Sequence, residues 1–356
     1  MSTSTAEGRL LRYVDALQEA FAQEMARDES VFLFGLDVDD HKSIQGSTRG
    51  LLQEFGPERV FTTPLSEDAM TGMAIGAAMA GMRPIHVHIR MDFLLLCMNQ
   101  LVNIAAKAHS MYGGSVKVPL VVRSMVGKSW GQGAQHSQAL HSLFMHIPGL
   151  KIVAPSNAHD AKGCMIAAIR DDNPVLVMEH RLLYGTEAYV PEAPFEVRPG
   201  RARVVGPGDD ITVVAISNMV PECLRARDLV AEVGISAEVI DPVWLQPLDI
   251  DSLLASARRT RRLLVADNAW LPCGASAEII AAVLERAGPD AGIMVRRIGF
   301  APVTCPPSPP LEAAFYPNPG TVASAIHAMV RPAAPAWQPD PERTRLSYQS
   351  SFCGPF

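Results

Sequence analysis

Several common functional motifs are missing from this chain of 356 residues. The six cysteines are scattered without a CxxC pair, which favours buried, reduced thiols in a cytoplasmic protein over metal ligation. No P-loop occurs, and no GxGxxG loop opens a helix after a first strand, which argues against nucleotide hydrolysis and nicotinamide binding. The first residues have no apolar core before their charges, and no run of about 18 apolar residues follows, so we expect neither a signal peptide nor a membrane span.

Charged residues are also few, at 19% of the chain against 48% hydrophobic residues. This balance is typical of a globular protein with extensive buried surface, and the length allows two domains with full cores. The net charge of -6 argues against nucleic acid as the main partner.

Short β-rich runs alternate with helical runs along most of the chain, among them RPIHVHI (83–89), PLVVRSMV (119–126), KIVAPS (151–156) and PVLVMEH (174–180). This alternation predicts right-handed βαβ units, and therefore an α/β fold with a largely parallel sheet flanked by helices in each of two domains. We expect a first domain over residues 1–190, a linker over 191–209, a second domain over 210–332 and a proline-rich tail over 333–356, extended or disordered.

The ten residues FTTPLSEDAM (61–70) place Glu67 where a helix begins. The simplest interpretation is capping, because Thr63 or Ser66 can cap the helix and an acid in the first turn complements the helix dipole. The residues that follow, AMTGMAIGAAMAGM, are mostly small, which predicts close packing of other backbone against this helix. The carboxylate would then be partly buried and would need a partner.

A second unusual stretch, GKSWGQGAQHSQALH (127–141), leads through three glycines to His136, which we expect at the start of a helix. A lone histidine is more often structural. A histidine on a glycine-rich loop after a parallel strand, however, lies at the edge of the sheet where α/β proteins bind ligands. Because Glu67 should lie along the same edge, the two residues together suggest a site.

Five stretches carry a resemblance to a known family: TTPLSEDAMTGMAIGAAMAGMRPI, the DF pair at 92–93, GAQHSQ, PGLKIVAPSNAHDAKG and AIRDDNPVLVMEH. They resemble the β subunit of the decarboxylating component of 2-oxoacid dehydrogenase complexes, within the transketolase-like thiamine diphosphate enzymes. The likeness covers about residues 10–330 and is most specific before residue 185. It implies a pyrimidine-binding first domain and a transketolase C-terminal-like second domain.

The resemblance assigns roles to the residues singled out above. It implies that Glu67 hydrogen-bonds N1′ of the thiamine diphosphate pyrimidine, so that the 4′-amino group can become an imine and deprotonate the thiazolium C2. Phe93 matches the aromatic residue that stacks on the pyrimidine, and Leu65 would also contact the cofactor. His136 matches a histidine at the mouth of the active site, which contacts the substrate carboxylate or assists reductive acylation of a lipoyl group.

Other positions are less decided. His88, Arg90 and Arg123 are candidates to bind the substrate, although Arg123 could instead fix a loop or a subunit contact. Some relatives bind a structural potassium ion, K+, mostly through backbone carbonyls, at positions that match Leu120, Ala168, Ile169, Asp171 and Asn173. An ordinary helix end and turn explains the last four equally well.

A GDG…N motif, which would anchor Mg2+ and the cofactor diphosphate, does not occur in the sequence. In the family, a separate α subunit carries that half of the site. The resemblance therefore implies an α2β2 heterotetramer that acts on a small-molecule substrate and passes the acyl group to a lipoyl acyltransferase or another acceptor.

The sequence departs from the family pattern at several points. Thr62 or Thr63 replaces the acid of the usual ETP motif, and HVHIRM (86–91) replaces residues that are often a glutamate and aromatic or small side chains. The DF that follows is similar to acetoin dehydrogenase β subunits. The expected activity is that of a 2-oxoacid or acetoin dehydrogenase β subunit; the alternatives are a split transketolase-like ketol transferase and a noncatalytic partner subunit.

Overall fold

The structure is a computed structural model that describes residues 9–40, 42, 44–128 and 131–347. Its internal contacts divide the described chain into two compact units. The first unit contains residues up to 127 together with 143–198, and the second contains 128–142 and the residues from 199 onward. The loop that carries His136 therefore belongs to the second unit, whereas the predicted boundaries placed it within the first domain.

The first unit alternates strands and helices in the predicted order. Its elements are β1 (Arg9–Arg12), α1 (Tyr13–Arg27), β2 (Val31–Gly35), α2 (Leu51–Phe55), β3 (Val60–Thr62), α3 (Glu67–Met79), β4 (Arg83–His88), α4 (Ala106–Met111), β5 (Val121–Val126), α5 (His141–Met145), β6 (Lys151–Val153), α6 (Ala158–Arg170), β7 (Val175–His180) and β8 (Glu187–Val190). Helix α5 crosses the boundary between the units.

In the first unit the main sheet runs in the order β6-β7-β5-β4-β2-β3, with parallel neighbours throughout. Strands β2, β5 and β7 are buried along their whole length, which explains their continuous apolar sequences. In the register of β4 with β5, Val87 lies opposite Arg123 and His86 opposite Val122. Because side chains alternate along a strand, Arg123 points to one face of the sheet and His86 to the other.

The segment after β4 has a helix-like sequence, FLLLCMNQLVNIAAKAHSMYG (93–113), but is not one regular helix. Instead it consists of a 3-10 stretch (Met91–Cys97), a π-helical stretch (Asn99–Ala105) and the short helix α4. Both irregular stretches pack against α3. Irregular helical turns of this kind are common beside functional sites.

The second unit is a smaller α/β unit. Its elements are β9 (Arg203–Gly206), β10 (Ile211–Ala215), α7 (Met219–Ala231), β11 (Ala237–Asp241), β12 (Trp244–Gln246), α8 (Ile250–Thr260), β13 (Arg262–Ala266), α9 (Ala275–Ala287), β14 (Met294–Ile298), α10 (Pro309–Phe315), α11 (Pro319–Val330) and α12 (Pro341–Ser347). Its sheet runs β14-β13-β10-β11-β9, parallel except at the edge strand β9. Helix α7 packs against β10 and β11, and α11 packs against α7 and β13, in one buried core.

The α/β fold class with two largely parallel sheets is confirmed, and two details differ from the prediction. Strand β9 lies inside the predicted linker, because the valines of RVVG pair with β11 despite the flanking glycines. The tail was expected to be extended or disordered. Residues 333–340 form neither helix nor strand, as in an extended arm, but the Trp337 ring packs on His327 with centroids 5.1 Å apart, and 341–347 form α12, in which Arg343 pairs with Glu232. Residues 348–356 lie outside the described part of the chain. None of the described helices is both long enough and apolar enough to cross a membrane.

Candidate active site

The carboxyl ends of three neighbouring parallel strands surround a small pocket in the first unit. Strand β2 ends at Gly35, β3 at Thr62 and β4 at His88. The pocket is lined by Leu36, Thr63, Pro64, Ser66, Glu67, Met70, His86, Val87 and His88. Open α/β sheets bind ligands at this edge, so the pocket is the candidate active site.

Glu67 is the first residue of α3, and its side chain is half-buried. Ser66, at the N-cap, makes no capping hydrogen bond through its side chain. The exposed Asp68 carboxylate instead accepts the N–H of Ala69 at 2.8 Å. Since Asp68 already places a solvated negative charge in the first turn, helix stabilisation alone does not require the half-buried carboxylate of Glu67.

The small residues of α3 leave an open surface. Apart from the nearby backbone of α3 itself, no described atom lies within 4 Å of where a Cβ would stand on Gly72 or Gly76. Within the part of the chain that the structure describes, the expected close packing of other backbone therefore does not occur at these two glycines.

A buried polar network lies next to Glu67. The Thr71 hydroxyl is 3.3 Å from Nδ1 of His86, and Nε2 of His88 is also 3.3 Å from that Nδ1. Burial, and then the neighbouring His88, hold the pKa of His86 well below its usual range, and burial lowers that of His88 to about 4. Both rings are therefore neutral near pH 7. The sequence pointed to His88 but not to Thr71 or His86, because only the packing of α3 on β4 brings the three together.

Phe93, Leu65 and Arg90 are not among the residues that line this pocket. Phe93 is half-buried in the 3-10 stretch after β4, and Leu65 is 80% exposed. Arg90 is buried and donates from Nη1 to the carbonyl oxygen of Ile89. Burial lowers the pKa of the Arg90 guanidinium, and the Asp92 carboxylate opposes that shift.

Arg123 lies in the core of the sheet. Its Nε and Nη2 donate to the two carboxylate oxygens of Glu179 at 2.5 and 2.9 Å, and the Tyr184 hydroxyl donates to the same carboxylate at 2.5 Å. Burial disfavours the charged guanidinium, but Glu179 and Tyr184 outweigh that cost and raise the pKa of Arg123. This geometry supports the structural alternative for Arg123. Glu179 was not identified from sequence, because 56 positions separate it from Arg123.

The loop matched to a potassium site already holds a cationic side chain. The carbonyl oxygens of Ile169 and Asp171 accept hydrogen bonds from Nη1 of Arg83 at 3.0 and 3.1 Å. The Leu120 carbonyl accepts the N–H of Val175 at 2.9 Å. The remaining two positions take part in the turn itself, where the Ala168 carbonyl accepts the N–H of Asp171 and the Asn173 N–H donates to the Asp171 carboxylate. Within residues 9–40, 42, 44–128 and 131–347, no cluster of three or more His, Cys, Asp or Glu side chains could hold a metal ion.

His136 lies in the second unit, in a turn, and its side chain is half-buried. The prediction that it starts a helix is wrong, since α5 begins only at His141. Two glycines with positive φ shape the preceding loop, Gly131 at 64° and Gly133 at 72°. Both glycines lie before His136, in the loop that precedes α5.

Gly131 cannot be replaced without moving the loop. A Cβ on Gly131 would lie 2.5 Å from the carbonyl oxygen of Pro307, and its N–H donates to the Glu312 carboxylate at 3.2 Å. The loop that carries His136 is therefore fastened to the segment before α10 and to α10 itself.

Two more titratable side chains belong to the same stretch and were not found from sequence. Lys128 is buried, with Nζ 4.7 Å from the centre of the Tyr316 ring, and burial lowers its pKa to about 8 against the opposing charge of Glu222. His141 contacts the Asp267 carboxylate through Nε2 at 2.9 Å. No pattern in the sequence links His141 to Asp267, since 126 positions separate them.

Comparison with known proteins gives the class of both units. The transketolase pyrimidine-binding domain matches residues 10–187, and the transketolase C-terminal domain matches residues 200–322. Among solved structures, a protein described as "Split gene transketolase, inactive beta4 tetramer" has a TM-score of 0.73 at 22% identity, covering 89% of this chain and 97% of that chain. At that identity the likeness supports the fold alone.

Curated relatives give the particular family. The β subunit of acetoin:2,6-dichlorophenolindophenol oxidoreductase from Cupriavidus necator is 42% identical, over 89% of this chain and 96% of its own length. The β subunit of the pyruvate dehydrogenase E1 component from Rickettsia bellii is 39% identical, over 88% and 96%. The chain belongs to the transketolase-like family of pyruvate dehydrogenase E1 and acetoin dehydrogenase β subunits, which confirms the resemblance stated from its sequence.

Proposed function

We propose that this chain is the β half of a thiamine diphosphate-dependent 2-oxoacid or acetoin dehydrogenase, and that Glu67 acts on the pyrimidine ring of the cofactor. The observation that carries the proposal is the half-buried carboxylate of Glu67 in a pocket at the carboxyl edge of the first sheet. The relatives support the reaction class, since their names include both pyruvate dehydrogenase and an acetoin oxidoreductase.

The chemistry of the pocket fits the pyrimidine end of the cofactor. One carboxylate and two neutral imidazoles line it, and Phe93 lies in the segment that follows β4. Thiamine diphosphate would supply a thiazolium carbon that, once deprotonated, adds to a carbonyl group. Glu67 would hold a proton opposite the ring nitrogen, where poor hydration strengthens proton sharing. Phe93 would stack on the ring, and Leu65 would contact it.

In this proposal His136 handles the substrate or the acyl acceptor and takes no part in activating the cofactor. Gly131 packs tightly against Pro307 and donates a hydrogen bond to Glu312, and these contacts hold the loop that carries His136 in position. Of the predicted substrate ligands, His88 lines the pocket, whereas Arg123 is occupied by Glu179. Arg90 stays a prediction as a substrate ligand.

We further propose that an α subunit completes the site and that the assembly is an α2β2 heterotetramer. Helix α3 and residues 91–105 pack on each other, and together with Leu65, just before α3, they expose large apolar side chains: Leu65, Met73, Met79, Leu95, Leu96 and Ile104. Exposed apolar patches of this kind mark protein interfaces, and the bare glycines of α3 allow another chain to approach closely.

Four further expectations belong to the same proposal. The partner would hold Mg2+ and the diphosphate of the cofactor. A lipoyl acyltransferase would accept the acyl group, and the reaction would take place in the cytoplasm. A potassium ion at the Ile169 and Asp171 carbonyls would have to share them with Arg83, which is feasible because each carbonyl oxygen has a second lone pair.

Calorimetry with thiamine diphosphate and Mg2+ tests the proposal. The purified chain should bind the cofactor weakly, and the chain assembled with its α subunit should bind it tightly and oxidise pyruvate or acetoin with a dye as electron acceptor. Tight Mg2+-dependent binding by the chain alone would contradict the divided site. Ketol transfer between sugars by the assembly would favour the transketolase alternative, and an assembly that binds no cofactor would favour a noncatalytic role.

A further inference from the structure

The Thr71, His86 and His88 network joins the helix of Glu67 to the sheet. Thr71 lies one helical turn after Glu67, so both side chains are on the same side of α3. Its hydroxyl contacts His86, whose ring stacks on Phe34 with centroids 4.6 Å apart and planes 4° apart. Ser66 makes no side-chain capping bond at the start of α3. The contact of Thr71 with His86 is a polar contact that joins the first turns of α3 to β4.

The second property of the network is its neutrality. Three titratable side chains contribute to it or adjoin it from β4 and the following 3-10 stretch: His86, His88 and Cys97. Burial lowers the pKa of both histidines and raises that of the Cys97 thiol to about 11, so all three are uncharged near pH 7. The first turn of α3 carries the carboxylates of Glu67 and Asp68, and the stretch after β4 adds Arg90 with the Asp92 carboxylate near it.

A cation at this place would harm proton sharing by Glu67. A positive charge near a carboxylate stabilises its ionised form and lowers its pKa, and the effect is strong where water is excluded. A neutral imidazole pair can fill the same volume and satisfy its hydrogen bonds without that effect. The contact between Nδ1 of His86 and two partners also lets the protons rearrange without net charge.

We propose that Thr71, His86 and His88 form a positioning network for Glu67, which fixes the first turns of α3 on β4 and adds no charged side chain of its own beside Glu67. The catalytic consequence rests on the proposed function. The network acts through Glu67, and its effect should therefore show in deprotonation of the cofactor more than in affinity for it.

A matched pair of variants tests the hydroxyl. Thr71→Val keeps the shape of the side chain and removes the hydroxyl, whereas Thr71→Ser keeps the hydroxyl. In the assembled enzyme we expect Thr71→Val to slow hydrogen/deuterium exchange at C2 of the bound cofactor about 10-fold, because small displacements of a catalytic group are costly. Thr71→Ser should exchange within about twofold of the wild type, and cofactor affinity should change little in either variant.

Two controls separate positioning from general stability. Thr212, buried in the second unit and hydrogen-bonded to Ser256, offers Thr212→Val, which should lower the melting temperature and leave C2 exchange unchanged. In the full chain without cofactor, 15N NMR of the imidazoles should show His86 and His88 as neutral tautomers at pH 7, with the His88 signals assigned by their loss in His88→Phe.

Wild-type exchange in Thr71→Val, with or without a lowered melting temperature, would overturn the positioning role. Protonated imidazoles at pH 7 would overturn the neutrality. Failure of the wild-type assembly to bind thiamine diphosphate would refute the proposed function and this role together, whereas a slow Thr71→Val beside a normal Thr71→Ser would support both.

Discussion

The two faces of the first sheet bury polar side chains in opposite ways. On one face, Arg123 of β5 and Glu179 of β7 form a fully buried ion pair. On the other face, His86 and His88 of β4 are equally buried but carry no charge. The register sets Val87, which lies between the two histidines in sequence, opposite Arg123, so the two clusters are close neighbours separated by the thickness of the sheet.

The difference follows from what each face must do. A buried charge is tolerable when its partner is supplied by the same scaffold and every contact is fixed, as in the bidentate contact of Arg123 with Glu179. The face with Glu67 needs the opposite arrangement, because a carboxylate that shares a proton with a ligand would be pinned in its ionised form by a permanent cation. The sheet thus separates a buried ion pair on one face from a buried pair of neutral imidazoles on the other.

The largest expected effect comes from breaking the charged face. Arg123→Met leaves the Glu179 carboxylate buried without its cation, which typically costs about 3–5 kcal/mol of folding stability. We expect a free energy of unfolding lowered by about that amount in urea titrations of the full chain. The double variant Arg123→Met with Glu179→Leu should recover most of the loss, since it removes both charges and fills a similar volume.

This double variant is also the decisive comparison. If the double variant is as unstable as Arg123→Met alone, the loss of stability does not come from an uncompensated charge. The interpretation that Arg123 and Glu179 mainly neutralise each other is then wrong.

A smaller effect in free energy, but a specific one, is expected on the neutral face. Glu67→Gln keeps the shape and part of the hydrogen bonding of the side chain but cannot carry the proton that favours the imino form of the cofactor. We expect C2 hydrogen/deuterium exchange in the assembled enzyme to fall at least about 10²-fold. Asp68→Asn, one residue along the same first turn, is the matched control and should leave exchange unchanged while lowering the melting temperature slightly.

Unchanged exchange in Glu67→Gln together with a lowered melting temperature would return Glu67 to the role of a helix-stabilising acid. The cost would then be about 1 kcal/mol of stability, as for a lost cap.

Strands with one continuous, buried apolar run could be predicted from the sequence, and so could the residues at which some elements begin or end. Strands β4, β5 and β7 were placed correctly because their runs are bounded by turn residues, and Glu67 was correctly assigned to a helix start. Strand β9 was missed, because glycine and proline around RVVG indicate a linker and only pairing with β11 stabilises it as a strand.

The buried polar contacts could not be predicted from the sequence, for a different reason. Arg123 meets Glu179 across two neighbouring strands, and Thr71 meets His86 across the packing of α3 on β4. Periodicity defines which face of an element is buried but not which side chains of two buried faces meet. His136 illustrates a local version of this limit, since the following helix was predicted but the turn that delays it to His141 was not.

The proposed role of His136, in the second unit, differs from that of Glu67: His136 would act on the substrate or acceptor and not on the cofactor. His136→Ala should lower turnover of the assembled enzyme by about 10-fold or more, as expected for loss of a group that binds or exchanges protons with a reacting molecule. C2 exchange and cofactor affinity should stay close to the wild type. Parallel loss of cofactor binding and turnover would show that His136 acts on the cofactor site instead.

The smallest expected effect is on the pH dependence of stability. It tests whether His88 is uncharged in the folded protein. A histidine held neutral by burial binds its proton more weakly in the folded state than in the unfolded state, where its pKa is about 6.5. Because the folded pKa of His88 is about 4, the unfolded state binds more protons between these two values.

The free energy of unfolding should therefore fall as the pH drops from about 6.5 towards 4, by up to about 1.4 kcal/mol per pH unit for this residue, and His88 should add no slope above that range. Aspartates with lowered pKa values, such as Asp28 and Asp172, add slope of the same sign as they protonate in acid, so the useful quantity is a difference between variants. Urea unfolding of the full chain from pH 5 to 7.5 should show a shallower slope for His88→Phe than for the wild type. Equal slopes would mean that His88 takes up its proton in the folded protein as readily as in the unfolded one, and the face beside Glu67 would then carry a positive charge in mild acid.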